Sequence, residues 1–71
     1  MKEFTPRQAR MLAEKSQREI AEILCIDRKT YRGLEANPER FSIKQAYIFA
    51  DAVGMNYDRI KFFSGRTQQT V

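Results

Sequence analysis

Histidine and tryptophan are missing from this chain of 71 residues, and its single cysteine is Cys25. Without histidine or a second cysteine, the sequence has no zinc constellation, no imidazole base and no internal disulfide. Glycine and proline are scarce, at three and two residues, whereas 42% of the residues are hydrophobic and 31% are charged. This is the composition of a folded globular protein. We therefore expect no metal site, no cofactor, and a fold stabilised by side-chain packing.

Long hydrophobic runs are missing as well. No segment approaches the roughly 20 apolar residues that span a bilayer, and the N-terminal "MKEFTPRQARML" lacks a continuous hydrophobic signal segment. We expect no membrane association and a cytoplasmic protein, and a lone free cysteine fits a reducing compartment.

Acidic residues are in the minority. Lysine and arginine outnumber aspartate and glutamate by 13 to 9, which gives a net charge of +4. Such a charge favours a polyanionic partner, because Lys and Arg neutralise phosphates and release counterions. Charge alone does not separate a nucleic-acid-binding protein from a basic protein that is merely solvated.

Helix-start signals are frequent in this small chain, whose length allows one domain with a core of about a dozen side chains. Three segments have a Ser or Thr followed three residues later by Glu or Gln, the capping-box pattern. They are "TPRQ" from Thr5, "SQRE" from Ser16 and "SIKQ" from Ser42. Asp27 and Asn56 are further candidate N-caps.

These signals predict four or five short helices. The expected spans are Pro6 to Glu14, a second helix from Gln17, Arg28 to about Glu35, Ile43 to Val53 with Gly54 as left-handed C-cap, and a last helix containing Tyr57, Ile60 and Phe63. Asn37 and Pro38 should end the third helix, and a loop should follow to Phe41. The tail 64–71 is polar and without periodicity, so we expect it to be flexible.

Apolar residues recur at helical spacing, and alternating strand patterns are absent. The expected core residues are Met11, Leu12, Ile20, Ile23, Leu24, Tyr31, Leu34, Ile43, Ala46, Ile48, Phe49, Val53, Ile60 and Phe63. Tyr31 should be buried, with its hydroxyl reaching solvent or a backbone group. The predicted fold class is all-α, a compact helical bundle in one domain over residues 1–63.

The segment "SQREIAEILCIDRKTYRGLE", Ser16 to Glu35, places two of these helices on either side of "CID". Helices joined by so short a turn cross steeply, and the small Ala21 suits the close approach. Counted from Gln17, apolar residues fall at the fourth, eighth, tenth, fifteenth and eighteenth positions. The pattern resembles the helix-turn-helix of the lambda Cro and repressor family, the xenobiotic-response-element type, which includes small regulators of phages and mobile elements.

The resemblance covers about residues 6–63 and implies a lambda-repressor-like fold whose third helix enters the DNA major groove. Burial of Tyr31 and Leu34 would turn a basic face outward. Arg28 and Lys29 are then the expected base-reading side chains, and Gly33 faces the groove by family position. The expected phosphate contacts are Gln17, Thr30, Arg32, Asn37 and Arg40. The simpler alternatives are a solvated helix face for the cations, a first-turn helix residue for Gln17 and a turn residue for Asn37.

Two features depart from the family pattern or remain open. Cys25 occupies the turn position where the family usually has Gly, because the backbone there is left-handed. Either this turn is strained, or its geometry differs and the direction of the third helix changes.

Phe62 and Phe63 are neighbours that one helix does not easily bury together, so a dimer or partner surface is expected at Ile60, Phe62 and Phe63. The alternative is that the tail folds over Phe62.

The leading functional hypothesis is a Cro-like or repressor-like regulator that binds a double-stranded, pseudo-palindromic DNA operator as a homodimer. The alternative is an antirepressor, a protein-interaction module that covers the DNA-reading surface of a partner repressor. An antitoxin is a narrower variant of that alternative, although the tail "SGRTQQTV" is a poor toxin-binding segment. An enzyme is the least expected class, since the sequence has no histidine, metal cluster or glycine-rich phosphate loop.

Overall fold

Four α-helices and two single turns of 3₁₀ helix form the regular structure of the protein, in a computed structural model that describes residues 3–62. The helices are α1 (Pro6–Leu12), α2 (Gln17–Leu24), α3 (Arg28–Ala36) and α4 (Ile43–Val53), and the 3₁₀ turns are Pro38–Arg40 and Tyr57–Arg59. Helix α2 packs against both α3 and α4, and α1 packs against α4. The predicted all-α bundle is confirmed.

All three predicted capping boxes form. Thr5, Ser16 and Ser42 have extended backbones, and each side-chain oxygen accepts a hydrogen bond from the N–H group three residues ahead. The Gln or Glu side chain at that third position accepts a hydrogen bond from the cap residue's own N–H, at 2.7 to 3.0 Å. Helices α1, α2 and α4 therefore begin where the sequence predicts, because two otherwise unpaired N–H groups are satisfied at each start.

The other two expected caps do not form. Asp27 has the extended backbone of an N-cap, but its side chain makes no capping hydrogen bond. Its Oδ1 instead accepts a hydrogen bond from the Thr30 hydroxyl at 2.9 Å. Asn56 also lacks a side-chain cap, and only the 3₁₀ turn Tyr57–Arg59 follows it.

Three helices end in the same way, with a left-handed residue one or two positions after the last helical residue. These residues are Glu14, Cys25 and Gly54, with φ of 59°, 62° and 72°. In each case the next N–H donates to the carbonyl five residues back, at 3.0 to 3.2 Å, as in a Schellman motif. The left-handed Glu14 explains why α1 ends at Leu12 and not at Glu14 as expected, whereas α3 runs one residue further than expected, to Ala36.

The turn at Cys25 therefore has the left-handed geometry that the family pattern requires, with a side chain where glycine is usual. Cys25 has φ 62° and ψ 40°. Of the two alternatives raised by the sequence, the structure supports the strained turn and not a changed geometry.

The core draws side chains from all four helices, from Phe41 just before α4, and from the C-terminal segment, residues 60–62. Its buried members are Ala9, Ile20, Ala21, Leu24, Tyr31, Leu34, Phe41, Ala46, Phe49, Ala50, Val53, Ile60 and Phe62. Four residues expected in the core are exposed instead, namely Met11, Leu12, Ile23 and Ile43. Leu12 and Ile43 lie at helix ends, and the buried stripe of α2 is formed by Ile20, Ala21 and Leu24, which leaves Ile23 outside.

The predicted last helix is wrong. After the 3₁₀ turn the chain is extended, and Ile60 forms an isolated parallel bridge with Phe4. Phe4 donates its N–H to the Arg59 carbonyl, and the Lys61 N–H donates to the Phe4 carbonyl, at 2.9 and 2.7 Å. The Phe62 N–H donates to the Ile60 carbonyl at 3.1 Å, which makes a tight turn at Lys61, and the side chains of Ile60 and Phe62 are both buried.

This arrangement corrects the expected dimer or partner surface. Ile60 and Phe62 are only 5% and 2% exposed, so neither side chain is available as a contact surface. The Phe62 ring lies 4.8 Å from the Phe41 ring and 5.9 Å from the Phe49 ring, measured between centroids. Phe63 and the tail 64–71, for which we predicted a contact role and flexibility, lie outside the described residues.

Candidate nucleic-acid interface

An open groove runs along the outer face of α3. It is lined by Asp27, Arg28, Lys29, Arg32 and Gly33. On the opposite face of the helix, Tyr31 and Leu34 are buried in the core. The arrangement follows from helix periodicity, since burial of positions 31 and 34 turns positions 28, 29, 32 and 33 outward. The structure thus brings together Arg28, Lys29, Arg32 and Gly33, as the sequence suggests.

The positive charges of this groove are not neutralised within the described chain. Arg28, Lys29 and Arg32 are exposed, and neither ion pair found in residues 3–62 includes them. Arg18, at the neighbouring groove between α2 and α3, differs because it pairs with Glu22 at 3.5 Å. Three unpaired cations on one helix face create a local positive potential suited to an anionic partner.

Gly33 has no conformational reason to be glycine. Its backbone is helical, and a Cβ built there would meet nothing within 4 Å. Glycine in a helix interior costs about 1 kcal/mol relative to alanine. Because Gly33 has no side chain, the α3 backbone is uncovered at this point of the groove. Another molecule can therefore approach the backbone closely.

Thr30 lies early in α3 and is exposed, but its hydroxyl is already used. The hydroxyl proton is donated to Asp27 Oδ1 at 2.9 Å. A phosphate oxygen needs a donated proton, and a hydroxyl has only one to give. The phosphate contact expected of Thr30 therefore competes with its bond to Asp27.

Gln17 is the first residue of α2 and is half-buried. Its Nε2 donates to Glu35 Oε1 at 3.1 Å, so one amide proton is used and the second stays available. The first N–H groups of a helix have no partner within it, and the Ser16 side chain satisfies that of Glu19. The N-terminus of α2 retains the donor arrangement expected for a phosphate contact.

Glu35 connects three helices, a role that the sequence did not reveal. Its carboxylate accepts hydrogen bonds from Arg10 Nε of α1, Gln17 Nε2 of α2 and, at 2.8 Å, the Tyr31 hydroxyl of α3. Arg10 also donates from Nη1 to the Lys15 carbonyl in the α1–α2 connection, at 2.9 Å. The Arg10 and Glu35 side chains are 13% and 7% exposed, so this ion pair is largely shielded from solvent.

The network favours the charged forms of Arg10 and Glu35 and the neutral form of Tyr31. Burial by itself raises the pKa of Glu35, but the hydrogen bonds from Arg10, Tyr31 and Gln17 outweigh it and the pKa is lowered. The pKa of Arg10 is raised, chiefly by its hydrogen bond to Glu35. Burial raises the pKa of the Tyr31 hydroxyl, and the bond to Glu35 raises it further.

Tyr31 is a core residue as predicted, but its hydroxyl reaches neither solvent nor a backbone group. It donates to the side chain of Glu35, one helical turn away. Sequence reasoning had one available signal: Glu35 follows Tyr31 by four residues on the buried side of the helix. A carboxylate so placed requires a cationic partner from another element.

Asn37 and Arg40 are exposed at the end of α3. Asn37 ends the helix with φ −133°, and Arg40 closes the 3₁₀ turn Pro38–Arg40. Neither residue is among those that line the α3 groove. A contact of these two residues with DNA would therefore lie beyond the C-terminal end of α3.

The comparison with known families agrees with this geometry. A helix-turn-helix family model matches residues 7–60, which include α2 to α4 and all of α1 except its first residue, Pro6. The chain belongs to the Cro/C1-type helix-turn-helix family. Its four helices form the lambda-repressor-like fold of that family, in which α2 and α3 are the helix-turn-helix pair. No curated protein and no solved structure matches the chain.

Membership in this helix-turn-helix family makes the protein a DNA-binding transcription regulator. In folds of this type the second helix of the helix-turn-helix pair is the one that enters the major groove, so the outward face of α3 is the candidate DNA-binding surface. Within residues 3–62, no helix is both long and apolar enough to cross a membrane. The same residues contain no cluster of three or more potential metal ligands.

Proposed function

We propose that the protein is a Cro-like or repressor-like regulator that inserts α3 into the major groove of a pseudo-palindromic operator. The observation that carries this proposal is the α3 groove, where Arg28, Lys29 and Arg32 lie beside one another and form no ion pair within residues 3–62. Arg28 and Lys29 are at the start of the helix, the part that reaches base edges in this type of motif. That the protein is of phage or mobile-element origin stays a prediction from the resemblance.

The roles divide between base recognition and phosphate binding. Arg28 donates two hydrogen bonds to guanine O6 and N7, and Lys29 reaches a neighbouring base or phosphate. Arg32, one turn further along, binds phosphate. Gln17 offers its remaining amide proton and the N-terminus of α2 to a second phosphate. Gly33 allows the α3 backbone to lie close to the base edges.

Recognition of a pseudo-palindrome requires two copies of the chain, with half-sites centred about one helical turn, roughly 34 Å, apart. Two reading side chains per copy specify few base pairs, so a dimer would double the length of the site. Ile60 and Phe62 are buried within the single chain, so we expect the self-contact to use other side chains.

An antirepressor is the second candidate, and one observation favours it. The α3 face carries only two candidate base-reading cations, next to a glycine and to the carboxylate of Asp27. A face with so few side chains also suits contact with a protein surface. In that case the basic groove would bind an acidic region of a partner repressor.

The test is fluorescence anisotropy with the promoter DNA that flanks the protein's own gene and with a scrambled duplex, at about 0.05 and 0.15 M salt. The regulator proposal expects tight promoter binding that persists at the higher salt, while binding of the scrambled duplex is lost. Equal and weak binding to both duplexes would refute it and would favour the antirepressor.

Single substitutions test the assigned roles. Arg28→Ala should weaken specific binding by about 1–3 kcal/mol and relax one base position, whereas Arg40→Ala should weaken binding to all duplexes similarly. Lys61→Ala is the charge-matched control, because Lys61 is exposed and lies outside the α3 groove. Equal losses for Arg28→Ala on promoter and scrambled DNA would exclude Arg28 as a base-reading residue.

A further inference from the structure

Asp27 has the backbone of a helix cap but not its hydrogen bond. Its φ and ψ, −81° and 160°, are close to those of Ser16, −82° and 163°, whose side chain caps α2. The Asp27 carboxylate is held instead by the Thr30 hydroxyl, through Oδ1. Because the Asp27 carboxylate makes no capping hydrogen bond to α3, it can accept a hydrogen bond from another molecule.

The position of Asp27 is central to the DNA-binding surface. It is exposed and lines both the α3 groove, with Arg28 and Lys29, and the neighbouring groove between α2 and α3. No ion pair within residues 3–62 uses its charge. Only Oδ1 is engaged by the described chain, which leaves Oδ2 as an acceptor on the surface that faces DNA.

A carboxylate at this surface restricts what can lie opposite it. Phosphates and the acceptor atoms of guanine and thymine repel it, so its favourable partner in the major groove is a base amino group. Cytosine presents N4–H₂ with no acceptor beside it, whereas adenine places the N7 acceptor next to its N6–H₂. Cytosine is therefore the base that fits a carboxylate best.

We propose that Asp27 is a specificity-determining residue that accepts a hydrogen bond from the N4 amino group of a cytosine, and that Thr30 is the positioning residue that orients it. This inference rests on the proposed DNA-reading function of α3. It assigns the Thr30 hydroxyl to Asp27 and not to a phosphate. Asp27 lowers the overall attraction for DNA and increases discrimination among sequences.

The experiment is selection from a pool of duplexes with a randomised core of about 20 base pairs, two helical turns, using the full chain and its variants. The wild-type motif should contain one position where cytosine is favoured about 5- to 100-fold, as expected for a good base contact. Asp27→Asn retains an oxygen for Thr30 but presents an amide donor to DNA. At that position alone, it should replace the cytosine preference with a preference for a base that presents an acceptor, namely adenine, guanine or thymine.

Thr30 is tested through the same base position. Thr30→Val removes the hydroxyl and should reduce the cytosine preference several-fold, while the rest of the motif is unchanged. Thr30→Ser restores the hydroxyl and should restore the preference. Asp51→Asn is the charge-matched control, since Asp51 is exposed on α4, outside both grooves, and this variant should recover the wild-type motif.

Four results would overturn the inference. A wild-type motif with no cytosine-dependent position, or an unchanged motif from Asp27→Asn, would show that Asp27 does not determine specificity. Neither result would affect the proposal that α3 reads DNA. An equal gain in affinity for every duplex from Asp27→Asn would reduce Asp27 to a general charge effect. Failure of the wild-type protein to enrich any sequence would reject the DNA-reading function itself, and the role of Asp27 with it.

Discussion

At the scale of single residues, the Glu35 carboxylate links the helices of the fold to α3, the candidate DNA-binding helix. It holds Arg10 of α1 and Gln17 of α2 on α3, so the phosphate-binding candidate and the reading helix share one anchor. A partly buried ion pair of this kind adds little net stability compared with apolar packing, but removal of one partner leaves the other charge without compensation. Glu35 is thus a residue whose loss should affect stability and DNA binding together.

The ionisation of Glu35 and Tyr31 predicts how stability depends on pH. Because the pKa of Glu35 is lowered from its ordinary 4.5, its contribution is complete above that pH and is lost as the pH falls through the lowered value. Because the pKa of Tyr31 is raised, its contribution is complete below 10.0, the ordinary value, and is lost as the pH rises further. Urea unfolding across pH should show a plateau between these limits.

Glu35→Gln tests this assignment. At pH 7 it should lower the free energy of unfolding by about 1–3 kcal/mol, since Arg10 loses its charged partner in a partly buried site, and the loss of stability below pH 4.5 should become shallower. Glu22→Gln is the control, because its pair with Arg18 is exposed and should contribute less than about 1 kcal/mol. Parallel pH profiles for wild type and Glu35→Gln would contradict the assignment.

Cys25 stores backbone strain in the turn before the reading helix. Left-handed backbone costs a non-glycine residue about 1–2 kcal/mol, part of which is offset because glycine has more entropy to lose on folding. Cys25→Gly should therefore raise the free energy of unfolding by up to about 1 kcal/mol. Thermal unfolding by circular dichroism would measure this change.

Glu14 provides the matched comparison, since its φ of 59° differs little from the 62° of Cys25. Glu14→Gly should stabilise the protein to a similar extent, without changing the turn between α2 and α3. Destabilisation by Cys25→Gly together with stabilisation by Glu14→Gly would show that the Cys25 side chain contributes packing that outweighs its strain.

At the scale of the secondary-structure elements, the helix starts differ in how they are stabilised. Ser16 and Ser42 form reciprocal capping boxes, whereas Asp27 directs its carboxylate to the Thr30 hydroxyl. The N-terminus of α3 is thus the least capped of the four, and it is also the part that faces the groove. The missing cap therefore lies at the candidate DNA-binding groove, where Asp27 Oδ1 accepts a hydrogen bond from Thr30.

Alanine substitutions should reproduce this difference. Ser42→Ala should cost about 1 kcal/mol of stability because it removes a formed cap. Asp27→Ala should cost less, since no capping bond is lost and the bond to Thr30 is exposed. Equal losses from the two variants, measured by thermal unfolding, would indicate that Asp27 does cap α3 in solution.

At the scale of the whole molecule, the C-terminal segment closes the core. Phe62 packs on Phe41 and Phe49, and the bridge between Phe4 and Ile60 joins the two ends of the described chain. Helices α1 to α4 alone would leave the aromatic side of this core open. The segment that the sequence suggested as a dimer surface is therefore part of the folded monomer.

Phe62→Ala should lower the free energy of unfolding by about 3–5 kcal/mol, as for other large core side chains. This loss is a large part of the stability of a small domain. Leu12→Ala, at a side chain that is 61% exposed, should change stability by less than about 0.5 kcal/mol. Urea unfolding at several protein concentrations gives the comparison. A loss at Phe62 that depends on protein concentration would support the dimer surface instead.

Much of the candidate site was predictable because it depends on one helix. Once Tyr31 and Leu34 are assigned to the core, the helical repeat alone turns Arg28, Lys29 and Arg32 outward. The engagement of Thr30 by Asp27 was not predictable, because capping and side-chain pairing use the same atoms and differ little in energy. The Arg10–Glu35 pair escaped prediction because its partners are 25 positions apart in sequence.

The sequence by itself determined the features that depend on neighbouring residues. The reciprocal bonds of the three capping boxes, the left-handed end at Gly54 and the outward face of α3 all follow from groups within five positions of each other. Only the tertiary structure decided which apolar residues fill the core and what the C-terminal segment does. Burial depends on which surface another element covers, so Ile23 and Ile43 stay exposed, while Ile60 and Phe62 leave helical periodicity to pack against Phe4, Phe41 and Phe49.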